Sequence, residues 1–363
     1  MHQLQLVISC EGPLALNDNA FELCREFIKP DGARFFQKVS RYGDYLLDVA
    51  KKPEYQAGDT LKLILPFLKA HGLTNQQISA YSHKHVKLMP GVEKAYKFLL
   101  TQDFSIFEIS TSCRQFAEAV GQQLGVSPKN IFCTELDLDC VSLTLGEKDE
   151  LFRLQREIAA APEIKLPPEP ASLQDLPAPV KEVVEVCDRI FWDRIPQMGI
   201  AALYRQVTTL GGPDKARALA ESLARTGLTM KDVIFVGDSI TDVQAFEAVR
   251  AGGGLSISFN GNRPAVLAAE ISVSADNAWP IALLASIFRL WGKEGVMELA
   301  DKGSEGAARY LVLPDAVIDT LMRGLKGRNF NLRSPLSQDQ ETTVQESMAM
   351  RAKLRGSGVA SLA

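Results

Sequence analysis

The chain has six cysteines but no C-x-x-C pair: Cys10, Cys24, Cys113, Cys133, Cys140 and Cys187 are scattered along it. This spacing argues against a thiolate zinc site and fits free thiols in a reducing compartment. Basic charge is not in excess either. A formal net charge of −4 gives no electrostatic case for a nucleic-acid partner. Long apolar runs are missing. The strongest, 279–290, ends near Arg289 and Lys293 and falls short of the roughly 20 residues that a membrane-spanning helix needs. The first residues, Met-His-Gln-Leu-Gln-Leu-Val-Ile, pass straight into a strand pattern with no basic region and no cleavage site. The expectation is a cytoplasmic protein with no membrane partner. There is no internal repeat. At 363 residues the chain has room for two domains, or for one domain with large insertions.

What is present is organised around 233–242, Val-Ile-Phe-Val-Gly-Asp-Ser-Ile-Thr-Asp. Four consecutive apolar residues suit a strand buried on both faces, and Gly237 allows a sharp turn after it. Thr241 and Gln244 have capping-box spacing, which predicts a helix starting at Thr241. Asp238 and Asp242 then lie at the end of a buried strand near the positive end of a helix. Paired acids there suit a hard cation such as Mg²⁺.

Along the rest of the chain, residues 4–8 read as a buried strand closed by Gly12 and Pro13. Asn17 or Asp18 can cap the next helix. From Asp31 to Leu88 the pattern is helical, with Phe35, Phe36, Val39, Tyr42 and Leu46 on one face. His83 and His85 are two apart and point away from each other on a helix, which makes them a solvated pair rather than a metal pair. A strand follows at 104–109. Ser110, Thr111 and Ser112 close it beside a helix N-terminus, a ready anion site, with Ser112 serving as the cap. Residues 131–145 alternate enough for one or two strands. The stretch 161–179 carries six prolines, Pro162, Pro167, Pro168, Pro170, Pro177 and Pro179, and reads as an extended linker. Pro213 opens a further helix. Lys215 sits in its first turn, where a cation is disfavoured by the helix dipole and requires an anionic partner. Strands at 255–259 and 271–273 complete an alternation of strands and helices that predicts a parallel α/β sheet.

In a parallel sheet the carboxyl ends of the strands meet at one crevice. The order and spacing of Ser9–Leu14, Ser110, Lys215 and Gly237–Asp242 resemble the haloacid dehalogenase superfamily, whose members are mostly Mg²⁺-dependent phosphatases. Met89-Pro90-Gly91-Val92 looks like the lead-in to its second motif. Ser110 fits the phosphate-binding Ser/Thr, Lys215 the third-motif lysine, and Gly237-Asp238-Ser239-Ile240-Thr241-Asp242 the acidic fourth motif. The resemblance implies an α/β, Rossmann-like core (1–14 and 89–285) with a helical cap (15–88) and a second insertion (134–209). C-terminal helices (286–330) and a mobile polar tail (331–363) complete the expected division, and the tail is expected to be dispensable for folding.

The first motif departs from the family's Asp-x-Asp-Gly-Thr/Val. Here it reads Ser9-Cys10-Glu11-Gly12-Pro13. The resemblance puts Ser9 in the place of the nucleophilic aspartate, which also ligates Mg²⁺, and Glu11 in the place of the general acid/base. Gly12 is kept. Ser9, Glu11 and Lys215 are thus the candidate catalytic residues, Ser110, Thr111 and Gly12 the candidate substrate-binding residues, and Asp238 and Asp242 the candidate ligands of a weakly bound Mg²⁺. The function expected is binding of a small phosphorylated or anionic ligand with weak or altered hydrolase chemistry. Two alternatives are an active Mg²⁺-dependent hydrolase with Glu11 as general base and a non-enzymatic regulatory or scaffold protein.

Overall fold

The computed structural model describes residues 3–167, 172–302, 314–335 and 339–360. Pro168 and Pro170 of the proline-rich stretch lie outside the described residues, as do parts of the two C-terminal segments named above. Six parallel strands form the centre of the molecule: β1 (Leu4–Ile8), β2 (Phe104–Cys113), β3 (Ile131–Thr134), β4 (Val233–Gly237), β5 (Leu255–Phe259) and β6 (Ile271–Ala275). A seventh, β7 (Phe330–Arg333), adds antiparallel to β6. The order is β3-β2-β1-β4-β5-β6-β7. β1 is therefore central, and its side chains alternate between two cores. Leu6 and Ile8 join Ile106, Ile234 and Val236 on one face, while Val7 joins Phe107 and Phe235 on the other. The second face is covered by the helices Pro213–Thr226 and Val243–Ala251 through Leu219, Leu223, Phe246 and Val249. β7 has no counterpart in the strand pattern read from the sequence, because its Phe-Asn-Leu-Arg is only half-buried at an edge. Residues 131–145 yield one strand and a short 3₁₀ turn (Leu138–Cys140) rather than two strands.

Two long excursions leave the sheet. The chain between β1 and Leu88 forms the helices Asn19–Phe27, Gly32–Asp48, Thr60–Ala70 and Asn75–His85. Asp18 caps the first by accepting from Phe21 N, and Thr74 and Gln77 form a reciprocal capping box on the last. The chain after β3 forms Leu145–Ala160 and Ala178–Asp188, and this second excursion packs on the first. Tyr42 stacks on Phe191 with ring centroids 5.6 Å apart, and its hydroxyl accepts from Trp192 Nε1 at 2.8 Å. His71 Nε2 lies 2.6 Å from Gln155 Oε1. The two excursions share one apolar core and form a single helical roof.

That roof is seated on the sheet at close range. Gln56 Nε2 donates to Asp214 Oδ2 at 2.7 Å and to the Thr209 carbonyl at 3.1 Å. A Cβ added at Gly58 (φ +99°) would come within 2.6 Å of the Thr111 methyl, and one at Gly211 within 2.1 Å of the Ala57 carbonyl. These glycines let the roof approach the strand ends at a distance no side chain would permit.

The C-terminal segment departs from the expectation of a mobile polar tail. Gln340–Arg355 is a four-turn helix lying against β6 and the helix Arg263–Ala268. Thr343, Val344, Ser347 and Arg351 on it are buried. Ser347 Oγ donates to the Gly261 carbonyl at 2.8 Å, and Arg333 Nε donates to Glu346 Oε2 at 2.7 Å. The composition misled because this helix docks through polar groups that find partners on the core, with few apolar residues to signal burial. Removing it would unpair these groups and uncover β6, and breaking buried charge pairs costs several kcal/mol. Truncation after Arg333 is therefore expected to lower the melting temperature by several degrees. An unchanged calorimetric transition would contradict the docking.

Candidate functional site

The carboxyl ends of β1, β2 and β4 open under the roof into a cavity of about 120 Å³. Ser9, Glu11, Ser110, Thr111, Lys215 and Asp238 line its floor, and Ser40, Asp44, Tyr55 and Thr60 face it from the roof. The pairing of β1 with both β2 and β4 brings Ser9 and Glu11 beside these side chains. At the floor, Lys215 Nζ donates to Asp242 Oδ1 at 2.7 Å and to Ser9 Oγ at 3.1 Å, with all three residues buried. Asp242 is the anionic partner that Lys215 requires. Its other oxygen accepts from the backbone N–H groups of Asp238 and Ser239, each at 3.0 Å. The helix after β4 starts differently from the reading of the sequence. Ser239 and Asp242 form the capping box and a 3₁₀ turn, and the α-helix begins at Val243. The tight turn needs Gly237, where a Cβ would lie 2.4 Å from Asp242 Cγ.

Gly12 has φ +86°, and a Cβ on it would lie 2.3 Å from Asp238 Cγ. It thus brings the first loop against Asp238 and serves the site by its lack of a side chain. Ser110 Oγ accepts from Ser112 N at 3.1 Å. Thr111 donates to the Leu210 carbonyl at 3.0 Å, which commits its hydroxyl to the second excursion. Ser112 does not cap the following helix. That helix starts after Cys113 without a side-chain cap, and Ser112 Oγ donates to Glu11 Oε1 at 2.8 Å. The same oxygen accepts from Asn19 N at 2.8 Å. Burial, and then the nearby Asp18 carboxylate, raise Glu11 to about 7, against the pull of Arg355 and these two hydrogen bonds.

Reading from the sequence missed two residues that the C-terminal helix brings in. Arg351 and Arg355 both donate to Asp238 Oδ2, Arg355 at 3.1 Å through Nη1 and Arg351 through a shorter contact. Arg351 Nη1 also reaches the carbonyls of Asp238 and Asn260 at 3.3 and 3.4 Å. Arg355 binds the Leu16 and Asn17 carbonyls at 3.1 and 2.7 Å. Both guanidiniums and Asp238 are only 4% exposed. The one signal in the sequence is that Ser347, Arg351 and Arg355 recur every fourth residue and so share a helix face.

This arrangement corrects the expectation of a Mg²⁺ site at Asp238 and Asp242. A Mg²⁺ ion needs several free oxygens in near-octahedral array. The oxygens of Asp242 are taken by Lys215 and two backbone N–H groups, and Asp238 Oδ2 is covered by two guanidiniums. Ser9 contributes no carboxylate. Among the described residues, no group of three or more His, Cys, Asp or Glu side chains is placed to hold a metal ion. The residues present do not fit the cation. His83 Nε2 lies 2.9 Å from Gln122 Oε1.

The strand order, the two excursions and the loops at the strand ends define a class of protein: the chain has an α/β, Rossmann-like fold, a mostly parallel sheet with two helical insertions over its carboxyl edge. No helix among the described residues is long and apolar enough to cross a membrane. No family model matches the chain, and no curated protein is significantly similar to it. Among solved structures it is similar to a gene product of Archaeoglobus fulgidus, with 27% identity, a TM-score of 0.79 and 99% of each chain covered. A phosphoserine phosphatase trapped as a phospho-aspartyl intermediate analogue matches at 15% identity and a TM-score of 0.46, over 75% of this chain and 93% of that one. A phosphoserine phosphohydrolase-like protein from Francisella tularensis matches at 15% identity and a TM-score of 0.40, over 70% and 87%.

The raised Glu11 has a consequence for stability. A carboxyl that keeps its proton in the folded state but loses it near 4.5 when unfolded contributes stability fully below that pH. The contribution is lost as pH rises through about 7, at up to ~1.4 kcal/mol per pH unit. Glu11→Gln keeps the acceptor and removes the titration. Its melting temperature relative to wild type is expected to rise from pH 5 to pH 8. A constant difference across that range would mean that Glu11 titrates normally.

Proposed function

We propose that the protein binds a small phosphorylated or otherwise anionic ligand in the cavity between the sheet and the helical roof, and that it turns such a ligand over slowly or not at all. The observation that carries this reading is the state of Ser9. Its hydroxyl stands at the end of β1 as the acceptor of the Lys215 ammonium. A serine hydroxyl attacks only when a base takes its proton. Lys215 donates to it, and the carboxylate of Glu11 is turned to Asn19 N and Ser112 Oγ. Lys215, Ser110 and the two arginines supply donors and positive charge for an anion, while no activated nucleophile stands opposite them.

A second reading has one observation in its favour. Glu11, raised to about 7, is poised as a general acid or base near neutral pH and could activate a water directly in a working hydrolase. The two readings separate on a panel of phosphate monoesters with wild type, Ser9→Ala, Ser9→Asp and Glu11→Gln. Wild type is expected to raise its melting temperature with phosphate monoesters but to show little turnover of an activated aryl phosphate. Ser9→Asp introduces a carboxylate nucleophile and is expected to give slow hydrolysis. Glu11 is one methylene longer than aspartate, and an error of about an ångström costs ~10²-fold, so Ser9→Asp with Glu11→Asp is expected to be faster still. Robust wild-type turnover that survives Ser9→Ala and disappears in Glu11→Gln would replace the binding reading with the direct-water hydrolase.

A further inference from the structure

Three of the four carboxylate oxygens of the acidic pair at the end of β4 already accept from protein groups, which leaves too few for a divalent cation, yet its first carboxylate is not left uncompensated. Arg351 and Arg355 both fall on Asp238 Oδ2, and two guanidiniums together carry the charge of one divalent cation. They arrive on a helix fixed independently of them, by Ser347 on the Gly261 carbonyl and by the buried Val344. Each arginine is tied a second time to backbone carbonyls of the core: Arg351 to Asp238 and Asn260, Arg355 to Leu16 and Asn17. This is a rigid placement of charge, since neither head is free to swing. Both arginines line the same cavity as Ser9, Ser110 and Lys215. Arg351 also buries an Nε that has no hydrogen-bond partner, so its head is held there by charge as well as by its hydrogen bonds. Guanidiniums are suited to this role, being planar, permanently charged and matched to phosphate oxygens.

We propose that the C-terminal helix is a built-in replacement for the divalent cation. Arg351 and Arg355 supply the fixed positive charge beside Asp238, so that the cavity binds a phosphate group without metal, with Lys215 as a donor to its oxygens. This deepens the anion-binding reading given above and rests on it. The shared chemistry is a phosphate dianion, from a monoester or from free phosphate.

Calorimetric titration of the full chain separates the possibilities. Inorganic phosphate and an aryl phosphate are titrated into wild type in EDTA and again in millimolar Mg²⁺, and Mg²⁺ is titrated alone. The expected result is phosphate binding of equal affinity in both media and no heat from Mg²⁺. Tighter binding of the aryl phosphate points to a monoester as the ligand, and equal binding points to the free anion; either supports the site. Arg351→Gln is expected to weaken phosphate binding at least tenfold in EDTA. Arg351→Gln with Arg355→Gln, which uncovers Asp238, is expected to recover part of the lost affinity when Mg²⁺ is added. Phosphate binding by wild type that requires Mg²⁺, or a Mg²⁺ heat from wild type that is lost in Asp238→Asn, would overturn the replacement while leaving the anion-binding reading intact. Unchanged phosphate affinity in a folded Arg351→Gln would do the same. Absence of phosphate binding in both media would overturn the anion-binding reading itself, and this proposal with it. Should the arginine variants not fold, the wild-type titrations alone still decide.

Discussion

Asp238 is a carboxylate buried at the end of a central strand, and a buried charge must be paired or coordinated. How this chain meets that requirement shapes much of its architecture. The acid is compensated by two arginines from a helix more than a hundred residues further along the chain. To bring them there, the chain runs past β6, adds an edge strand and lays a polar helix across β6 and the helix Arg263–Ala268. Gly12 yields its side chain so that the first loop can close on the same carboxylate. The neighbouring Asp242 is settled differently, by Lys215 and the two N–H groups of its own turn. One acid thus depends on local contacts and the other on the whole length of the chain.

The roof follows a related logic. Neither excursion from the sheet has a core of its own, and the stacked Tyr42 and Phe191 and the pair of His71 with Gln155 join them. Because the first excursion leaves after β1 and the second after β3, their union spans the strand ends from two directions. The close approaches at Gly58 and Gly211 then fix the roof to the floor. The roof lining of this cavity comes from the first excursion, whose Ser40, Asp44 and Tyr55 face the same space as Ser9 and Lys215, while the second excursion braces the first from behind.

What the sequence made legible divides by range. The strand at 233–237, the turn after it and the helix opened by Pro213 are all written within a few neighbouring residues, and the structure places them accordingly. Lys215 at an unfavourable helix end called for an anion, and Asp242 supplies it. The local rules failed where two signals competed for one residue. Ser112 has cap spacing to Gln115, but its hydroxyl goes to Glu11, because a buried carboxylate is the more demanding partner. Thr241 has cap spacing to Gln244, but Ser239 takes the cap with Asp242. The C-terminal helix failed for a different reason. Burial was inferred from apolar residues, and this helix buries Ser347 and Arg351 against carbonyls and a carboxylate. Nothing in a polar stretch read alone reveals that its partners wait elsewhere.

The same accounting bears on the first motif. A carboxylate at position 9 would stand beside Lys215, and in the family that the sequence resembles a metal ion shares such a carboxylate. Here position 9 is a neutral hydroxyl, and a full divalent charge at that place would lack one of its oxygens. Guanidiniums do not need that oxygen. They are satisfied by Asp238 and by backbone carbonyls, groups that any residue at position 9 leaves in place. Serine at position 9 and arginine at positions 351 and 355 are therefore consistent with each other as one change in the charge balance of the floor. In the reading proposed above, a hydroxyl at position 9 supplies neither a negative charge nor a metal ligand, and the C-terminal helix supplies positive charge in a form that requires neither.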